Sequence, residues 1–587
     1  MRRIFAMRFL AIVCTLAAVV SLHGDEAADL RAARGVFEEN IAAIRNKDRA
    51  KYVSLYLQSD KLVRLGPAGF TLGYEDFAKG AGGSWPDTIE ATDMRLTPLR
   101  PGVVYGTYRY RVRYGANEIA GLSERVFVET PQGWKIALTG AINAPLGTPP
   151  PARAITGATL IDGRGGAPVP NAVVVIRDGK IECAGRCEVP AGVDTIDARG
   201  MWITPGLVDA HVHFSQTGWA DGRPDALDLR KDHPYATTIA DLRAHPERFA
   251  RSYLCSGVTA VFDVGGYTWT TELARRFEHD SAAPHVSAAG PLLSTMDHWL
   301  NLPAERQFIH LKDEAAARDG VRYLATHGAK AIKVWYLDAN VPGITAAGEA
   351  AAAAKLPLIV HATELDGAKA AVRAGAKLLV HSIEDKPVDD EFIALAKQQG
   401  TVLTPTLTVV GGYVRMFESA VKRTAPAIDD PNGCVDAKTR AKVASTANVD
   451  AGQMTAERLQ AFAKRTADEH AIAAANLKRL VTAGIPIATG TDAGNPLTLH
   501  GPAIYAEMEA MQKAGMTPMQ VIVASTATAA RAAGLGEVTG TLEKGKSADL
   551  LLLAADPAQD TANFRKVRFV MRGGVIRGVD ELSAMAR

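Results

Sequence analysis

Short apolar runs alternate with helix-length, alanine-rich segments between residues 205 and 537 of the chain. Most of these runs have the length and nearly continuous apolar character of strands that are buried on both faces. The eight runs are GLVDAHVHF, VTAVFDVG, HVSAAGPLLS, AIKVWY, LPLIVHAT, KLLVHSI, TVLTPTL and IPIATGTDAG. Eight strands separated by helices predict a parallel (β/α)8 TIM barrel over residues 205–537.

The residues that precede this region follow a different pattern. A helical periodicity from Leu30 to Tyr56 comes before runs that alternate apolar and polar positions, namely VVYGTYRYRVRYG, LSERVFVET and GWKIALTG. Such alternation is typical of antiparallel strands with one exposed face. Helices followed by such a sheet predict a small α+β domain over residues 28–143. This pattern resembles the ketosteroid-isomerase-like (SnoaL-like) cone domain, in which a curved sheet wraps a helix around a pocket.

A proline-rich stretch, APLGTPPPARA at residues 144–154, follows the α+β domain. Proline favours extended conformations, so this stretch predicts a linker and a domain boundary. Residues 155–204 are predicted to form short strands with glycine-containing turns, and residues 538–580 show the same pattern. The two segments are expected to pair into one small β-sandwich, into which the barrel is inserted.

The first residues of the chain predict an export signal. Arg2, Arg3 and Arg8 precede the apolar run FLAIVCTLAAVVSL, and the sequence then becomes polar. This order is typical of a secretory signal peptide, here assigned to residues 1–24. The alternative is an uncleaved membrane anchor, but the apolar run is shorter than the roughly 20 residues that span a bilayer. The expected location is periplasmic or extracellular, without a stable membrane anchor once the signal is removed.

The overall charge narrows the class of partner. The 66 lysine and arginine residues nearly cancel the 64 aspartate and glutamate residues of the 587-residue chain. This balance provides no general attraction for nucleic acid or anionic membrane. It fits an enzyme that acts on small molecules, and it leaves a homo-oligomer possible.

Four cysteines remain after the signal, which carries Cys14. Cys183 and Cys187 flank a predicted turn and form either a disulfide in an oxidising compartment or two free buried thiols. Cys255 and Cys434 are expected to be core or loop residues. No arrangement of cysteine, histidine and asparagine in the sequence indicates a thiol nucleophile.

Metal-ligating side chains and one lysine lie at the carboxyl ends of five of the eight predicted barrel strands. They are His211 and His213 on the first strand, Lys333 on the fourth, His361 on the fifth, His381 on the sixth and Asp492 on the eighth. Residues i and i+2 of a strand share a face, so the first two histidines point together. The carboxyl ends of barrel strands meet at one mouth, where barrel enzymes have their active sites. Histidines that merely fill a core would have no reason to recur at strand ends.

Five short motifs carry a family resemblance. AHVHF, IKVWY, IVHAT, LVHSI and GTDAG, in this order and spacing, resemble the metal-dependent amidohydrolase superfamily, especially its imidazolonepropionase-like and prolidase-like branch. The segment from Gly515 to Leu553 also resembles the part of that branch that leads back into the β-sandwich. The resemblance extends from about Gly157 to Gly578. It implies a metal-dependent hydrolase with a TIM barrel.

Neutral imidazoles are good ligands for zinc and similar divalent ions. A lysine ammonium has no lone pair and cannot bind a cation. The resemblance implies that Lys333 is carboxylated by carbon dioxide and that its carbamate bridges two metal ions, zinc being the first choice. The alternative is an unmodified Lys333 beside a single metal ion.

Asp492 matches the position at which this family has a general base and acid. Two metal ions about 3.5–4 Å apart hold a shared hydroxide and polarise the scissile carbonyl in such centres. Asp492 would accept the proton and pass it to the leaving nitrogen. The resemblance therefore implies cleavage of amide bonds in dipeptides or N-acyl amino acids. The alternatives are a single-metal hydrolase of cyclic amides, a single-metal deaminase, or a non-catalytic exported ligand-binding protein.

The loops after the barrel strands are expected to select the substrate. His298 and Tyr336 follow the third and fourth strands and are candidate substrate contacts, with packing roles as the alternative. A long stretch that is predicted to be poor in helix, Tyr413 to Gly452, follows the seventh strand. It is expected to form a lid or entrance wall over the mouth, or else a peripheral insertion.

Overall fold

The computed structural model describes residues 26–66, 69–115, 117–143, 152–295, 300–335 and 341–586. The predicted signal peptide, residues 144–151 of the predicted linker, and both candidate substrate contacts, His298 and Tyr336, lie outside the described residues. The chain divides into two compact units, and the division falls between Thr148 and Pro149.

The first unit combines three helices with one six-stranded sheet. The helices are α1 (26–45), α2 (Arg49–Ser54) and α3 (Tyr74–Gly80). The strands are β1 (Val63–Gly66), β2 (Gly69–Leu72), β3 (Thr88–Arg100), β4 (Val103–Tyr114), β5 (Asn117–Thr130) and β6 (Gly133–Asn143), in the sheet order β2-β1-β6-β5-β4-β3. Every second residue of β4 from Val104 to Tyr110 is buried, so this face meets Phe37 and Ile41 of α1. The alternating pattern thus places one face of the sheet in a core with the helices.

The second unit contains a mixed sheet built from both ends of its sequence. Its strands are β7 (Arg153–Leu160), β8 (Val169–Arg177), β9 (Lys180–Gly185), β10 (Asp194–Asp197) and β11 (Trp202–Pro205), then β21 (Leu550–Leu553), β22 (Val567–Arg572) and β23 (Val575–Gly578). The order is β23-β22-β21-β11-β7-β8-β9, with β10 paired to β7. Strand β11 pairs with β21 from Trp202 with Leu553 to Pro205 with Leu550. The segments on either side of the intervening residues therefore share one sheet.

Parallel strands occupy the residues between these segments. They are β12 (Leu207–Val212), β13 (Val258–Asp263), β14 (His285–Ala288), β15 (Leu292–Ser294), β16 (Phe308–His310), β17 (Ile332–Trp335), β18 (Leu358–His361), β19 (Ala376–Val380) and β20 (Val402–Thr404). They form the sheets β12-β13-β14 and β16-β15-β17-β18-β19-β20. Isolated parallel bridges join Leu403 to Ile487 and Val212 to Ala493. The segment 485–493 thus contacts the end strand of each sheet.

Helices follow most of these strands. They are α4 (Tyr235–Ala244), α5 (Glu247–Cys255), α6 (Leu273–Phe277), α7 (Glu314–Thr326), α8 (Val341–Ala353), α9 (Leu365–Arg373), α10 (Asp390–Gln399), α11 (Val409–Lys422), α12 (Ala437–Ser445), α13 (Ala456–Thr482), α14 (Ala503–Lys513), α15 (Pro518–Val523), α16 (Ala529–Ala532) and α17 (Val579–Ala586). Among the residues that the structure describes, no helix combines the length and apolar character needed to cross a membrane.

The expectation of a helix-poor stretch after the seventh strand is wrong. Helix α11 continues to Lys422, and α12 lies inside the same stretch. A Cβ at Gly412 of α11 would lie 2.4 Å from the carbonyl oxygen of Pro496. This glycine therefore lets the helix pack closely against the loop that carries Pro496.

Both disulfides lie in the second unit. Cys183 bonds Cys187, one of the two open alternatives, and Cys255 bonds Cys434. Cys255 and Cys434 are both buried, and no sequence pattern predicted the bond between them. The two cysteines are 179 residues apart in sequence, and only the packing of α5 against the segment before α12 brings their Cα atoms to 5.5 Å.

Removing the long-range disulfide is expected to destabilise the protein more than removing the local one. A cross-link constrains the unfolded chain more as its loop lengthens, about 5 kcal/mol for Cys255 with Cys434 against about 2 kcal/mol for Cys183 with Cys187. Thermal unfolding of the two paired alanine variants would measure the difference in Tm. An equal loss of Tm in both variants would contradict the expectation.

Candidate metal centre

His211 and His213 lie side by side at the end of β12. Their rings are 5.2 Å apart between centroids, and their side chains are almost fully buried. A Cβ at Gly490 would lie 2.7 Å from the His211 Cβ, so only glycine lets the segment 485–493 approach this strand end. The local packing therefore places that segment directly against the histidine pair.

Asp492 faces both histidines across this contact. Its backbone nitrogen donates to the His211 carbonyl oxygen at 2.7 Å, and the His213 nitrogen donates to the Ala493 oxygen at 2.9 Å. Asp492 Oδ1 then lies 3.0 Å from His213 Nε2 and 3.3 Å from His211 Nε2. The φ of Asp492 is +59°, in the left-handed region that costs a non-glycine residue free energy. The surrounding hydrogen bonds hold this strained backbone and aim the carboxylate.

His381 and His361 complete the group of imidazoles. His381 Nε2 lies 3.9 Å from Asp492 Oδ2, and its ring centroid is 5.0 Å from that of His211. The ring of His361, at the end of β18, is 4.3 Å from that of His381. His381 also has a left-handed backbone, with φ +76°, and its Nδ1 is 2.7 Å from the Thr406 hydroxyl. Three strand ends and one loop therefore bring four imidazoles around one carboxylate.

The hydrogen bonds of this group leave a place for a cation. His213 Nδ1 lies 2.7 Å from the Gly265 carbonyl oxygen, which can only accept, so Nδ1 carries the proton. In the neutral ring, Nε2 then presents a lone pair to Asp492 Oδ1, which makes no hydrogen bond. Two acceptors 3.0 Å apart repel each other unless a cation binds both. The donor set therefore fits a divalent metal ion.

Burial favours the protonation states that metal binding needs. It lowers the pKa of His211 and His361 well below the ordinary value and that of His381 to about 4. These imidazoles are therefore neutral near pH 7, the form that binds metals. Burial opposes ionisation of Asp492, but positive charge on the surrounding histidines lowers the pKa of its carboxyl well below the usual range, and a bound cation would supply that charge where the imidazoles are neutral.

Lys333 lies on β17, which pairs with β18, the strand that ends at His361. It lines the same cavity as the four histidines and Asp492. It is 2% exposed, and burial lowers its pKa to about 7. A large fraction of Lys333 is therefore a neutral amine near neutral pH, and only this form has the lone pair that reacts with carbon dioxide. The structure thus brings all six predicted strand-end residues to one cavity.

Two buried aspartates that sequence analysis missed support the histidine pair. Asp209 accepts hydrogen bonds from the backbone nitrogens of His211 and Thr491 and from the Thr491 hydroxyl. Asp263 accepts from the backbone nitrogens of Phe214 and Gly265, and the Gly265 carbonyl holds the His213 ring. Burial raises the pKa of Asp209 to about 7 and that of Asp263 to about 6. Each of these aspartates is the single acidic residue of an otherwise apolar strand. This position could have indicated a supporting role, because a buried carboxylate needs hydrogen-bond partners.

Glu507 is a further support that no sequence pattern indicated. From α14 it accepts hydrogen bonds from the Leu407 nitrogen at 2.7 Å and from the Thr408 nitrogen at 3.0 Å and hydroxyl at 2.8 Å. This fully buried carboxylate fixes the loop after β20, in which Thr406 contacts His381. Its partners lie about 100 residues away in sequence, so only the fold reveals its position.

A cavity of about 770 Å³ opens above the strand ends. Its apolar walls include Leu292, Phe308, Trp335, Leu407, Val410 and Val414. Away from the six strand-end residues, its polar lining includes Arg223, Asp225, Glu384, Arg415, Glu469 and His470. Of the stretch expected to form a lid or entrance wall, Tyr413, Val414 and Arg415 line this cavity. Other residues of that stretch, such as Met416, Phe417 and Val443, pack in a separate apolar cluster. The stretch therefore contributes a wall with its first residues and forms a packed insertion farther on.

A polar network joins this wall to Asp492. The Tyr413 hydroxyl donates to Asn495 Oδ1 at 2.5 Å, and Asn495 Nδ2 donates to the Asp492 carbonyl oxygen at 3.0 Å. Arg223 also donates to Asn495 and forms an ion pair with Asp225 at 2.7 Å. No sequence pattern indicated that these residues form a network.

Known proteins resemble this chain over most of its length. An uncharacterized protein of Mycobacterium tuberculosis is 26% identical over 395 residues, which cover 65% of this chain and 86% of that protein. Ochratoxinase of Aspergillus niger is 26% identical over 452 residues, 70% of this chain and 83% of the relative. The crystal structure of a Xaa-Pro dipeptidase with bound methionine superposes with a TM-score of 0.56 at 21% identity, over 73% of this chain and 100% of that one.

The solved structure supports a multidomain fold that contains a TIM barrel. A match to the amidohydrolase family model confirms the prediction of a hydrolase that acts on carbon–nitrogen bonds. The non-catalytic alternative is therefore set aside. The amidohydrolase family model matches residues 202–579, well over half of the sequence. This protein therefore belongs to the amidohydrolase family.

Proposed function

We propose that this protein is an exported metal-dependent hydrolase that cleaves the amide bonds of small substrates such as dipeptides or N-acyl amino acids. The observation that carries the proposal is the buried carboxylate of Asp492, which faces the imidazoles of His211 and His213 without a hydrogen bond to its Oδ1. Lys333 and His361 line the same cavity, which supports a centre for two metal ions.

The proposed centre divides its ligands between two zinc ions. One ion would be held by His211, His213 and Asp492. The other ion would be held by His361 and His381. A carbamate on Lys333 would bind both ions. To form the carbamate, the neutral Lys333 amine attacks the carbon of carbon dioxide, one C=O electron pair moves to oxygen, and the amine proton leaves to solvent. When bound, the two ions would supply Lewis acidity and charge that activate water.

Asp492 is the proposed proton carrier of the reaction. Its left-handed backbone and its hydrogen bond to the His211 carbonyl fix the direction of the carboxylate. An ionised carboxylate beside the attacking water accepts its proton and then protonates the leaving nitrogen, so that the amine departs neutral. The apolar walls of the cavity, Phe308 and Trp335 among them, exclude bulk water from this transfer.

A second candidate is a single-metal hydrolase of cyclic amides or a single-metal deaminase. One observation favours it: ligand atoms of His211, His381 and Asp492 all lie within 4.8 Å of one another and would suffice for one cation. Lys333 would then remain an unmodified amine. The number of metal ions per chain separates the two candidates.

We further infer that residues 28–143 form a ketosteroid-isomerase-like cone domain. Register shifts interrupt the pairing of β3 with β4 near Thr92 and of β5 with β6 near Val126, and such bulges bend a sheet. A curved sheet closed by α1 is the architecture of such a cone. For export, the two disulfides support an oxidising compartment, periplasmic or extracellular.

Metal analysis and a substrate screen test the proposed function together. The purified protein is expected to hold close to two metal ions per chain and to hydrolyse members of a panel of dipeptides and N-acyl amino acids. Lactones and cyclic ureides in the panel test the second candidate. Chelation should abolish hydrolysis, and added zinc should restore it. Full activity in metal-free protein would refute the proposal.

Asp492→Asn is expected to lower kcat by about 10² to 10⁴-fold, the usual range for loss of a general acid and base. The change removes a proton acceptor but little volume, so the fold and much of the metal should remain. His211→Ala is the matched control, because it deletes a ligand and should lose metal. Hydrolysis by Asp492→Asn within a few-fold of wild type would contradict the assigned role.

Lys333→Ala is expected to lose the bridging group and to lower activity by about 10 to 100-fold or more. A short carboxylate such as propionate, added from solution, should enter the vacated space and restore part of the activity. Metal content measured with and without propionate shows whether the acid acts by restoring a ligand. A wild type with one metal ion and an unmodified Lys333 amine in high-resolution density would favour the single-metal candidate.

A further inference from the structure

Glu384 lines the cavity without a cationic partner. It follows His381 by three residues, and its backbone nitrogen donates to the Thr363 carbonyl oxygen at 2.9 Å. Thr363 in turn follows His361 by two residues, so Glu384 lies between the loops that leave β18 and β19. No lysine, arginine or histidine nitrogen of the described residues lies within 4.0 Å of its carboxylate.

The two carboxylates that repel Glu384 each form an ion pair with a basic side chain. Asp385 Oδ2 lies 3.8 Å from Lys386 Nζ, and Glu469 Oε1 lies 3.7 Å from Arg465 Nε. Burial first, and then repulsion from Glu469 and Asp385, raises the pKa of Glu384 to about 7. A positive charge from a bound molecule would relieve this repulsion and restore the ionised form.

A cation without a carboxylate partner lies elsewhere on the same cavity wall. Arg415, on α11, donates from Nη2 to the Leu497 carbonyl oxygen at 3.2 Å, which places it beside the loop that follows Asp492. No carboxylate of the described ranges comes within 4.0 Å of Arg415, whereas Arg223 is paired with Asp225. Among the residues that the structure describes, the cavity therefore carries an acid without an ion-pair partner beside β18 and β19 and a base without one beside the segment 485–493.

We propose that Glu384 binds the α-ammonium group of the substrate and that Arg415 binds its carboxylate, so that free dipeptides are preferred to N-acyl amino acids. This proposal rests on the proposed function and selects between its two substrate classes. The α-ammonium of a dipeptide is bonded to the carbon next to the scissile carbonyl, so it must lie close to the reacting centre. Glu384 fits that position, because it lies three residues from His381 and hydrogen bonds the loop after His361.

The chemistry of the two groups explains the selectivity. An ammonium offers three N–H donors to a carboxylate acceptor, and such charge-assisted bonds are stronger when partly shielded from water. An N-acyl substrate offers no cation at this point and leaves Glu384 unpaired. A site whose polar group loses its partner rejects the ligand that cannot supply one.

The test uses dipeptides paired with analogues that lack only the amino group, for example leucyl-alanine with 4-methylpentanoyl-alanine. The wild type is expected to cleave the dipeptide with a kcat/KM at least about tenfold above that of its analogue. Glu384→Gln should lose this preference, with kcat/KM falling about tenfold for the dipeptide and changing little for the analogue. Arg415→Gln should lower kcat/KM equally for the dipeptide and for its analogue, because both substrates keep the carboxylate.

Glu418→Gln is the matched control, since Glu418 lies on α11, is paired with Lys422 and does not line the cavity. This variant should leave kcat/KM unchanged for both substrates. A wild type that cleaves the analogues as fast as the dipeptides would overturn this proposal and leave the proposed function standing, and no variant is needed for that result. An equal fall in kcat/KM for both substrates in Glu384→Gln would also overturn the proposal, because it would indicate a structural role for Glu384. If the metal-loaded protein cleaves no amide at all, the proposed function itself fails.

Discussion

The contact between the end of β12 and the segment 485–493 is the constraint on which the metal centre depends. Two backbone hydrogen bonds and one glycine bring Asp492 against His211 and His213. The result is a buried carboxylate whose Oδ1 makes no hydrogen bond and faces the Nε2 lone pair of a neutral His213 ring, an arrangement that is unfavourable without a cation. The strained backbone of Asp492 and His381 adds to this cost. The fold therefore maintains a site whose free energy improves when a metal ion binds.

Buried acids behind the histidines hold the geometry in place. Asp209 and Asp263 each accept backbone hydrogen bonds next to the histidine pair, and Glu507 does so at the loop that contacts His381. None of them lines the cavity. They act through the chain segments that they fix, so the orientation of the imidazoles depends on groups that never touch the substrate.

The sequence predicted those parts of the molecule that local patterns encode. Apolar runs of strand length and polar residues at their ends were enough to predict that His211, Lys333 and His381 meet at one cavity. Long-range packing explains the failures. Cys434 meets Cys255 only after α5 and the insertion have packed together. Helix α11 extends into the stretch that was predicted to be poor in helix, and its Gly412 packs closely against the carbonyl oxygen of Pro496. The unpaired state of Glu384 is likewise a property of its neighbours in space.

The mixed sheet has a consequence for the order of folding. Strand β11 finds its partner β21 only near the end of the chain, because more than three hundred residues of parallel strands and helices lie between them. Contacts of such high sequence separation form slowly, since a long loop must first close. Until β21 has been synthesised, β11 has an unpaired edge that invites association with other chains. A chain that stops short of Leu550 would keep its metal-ligand residues and still expose that edge.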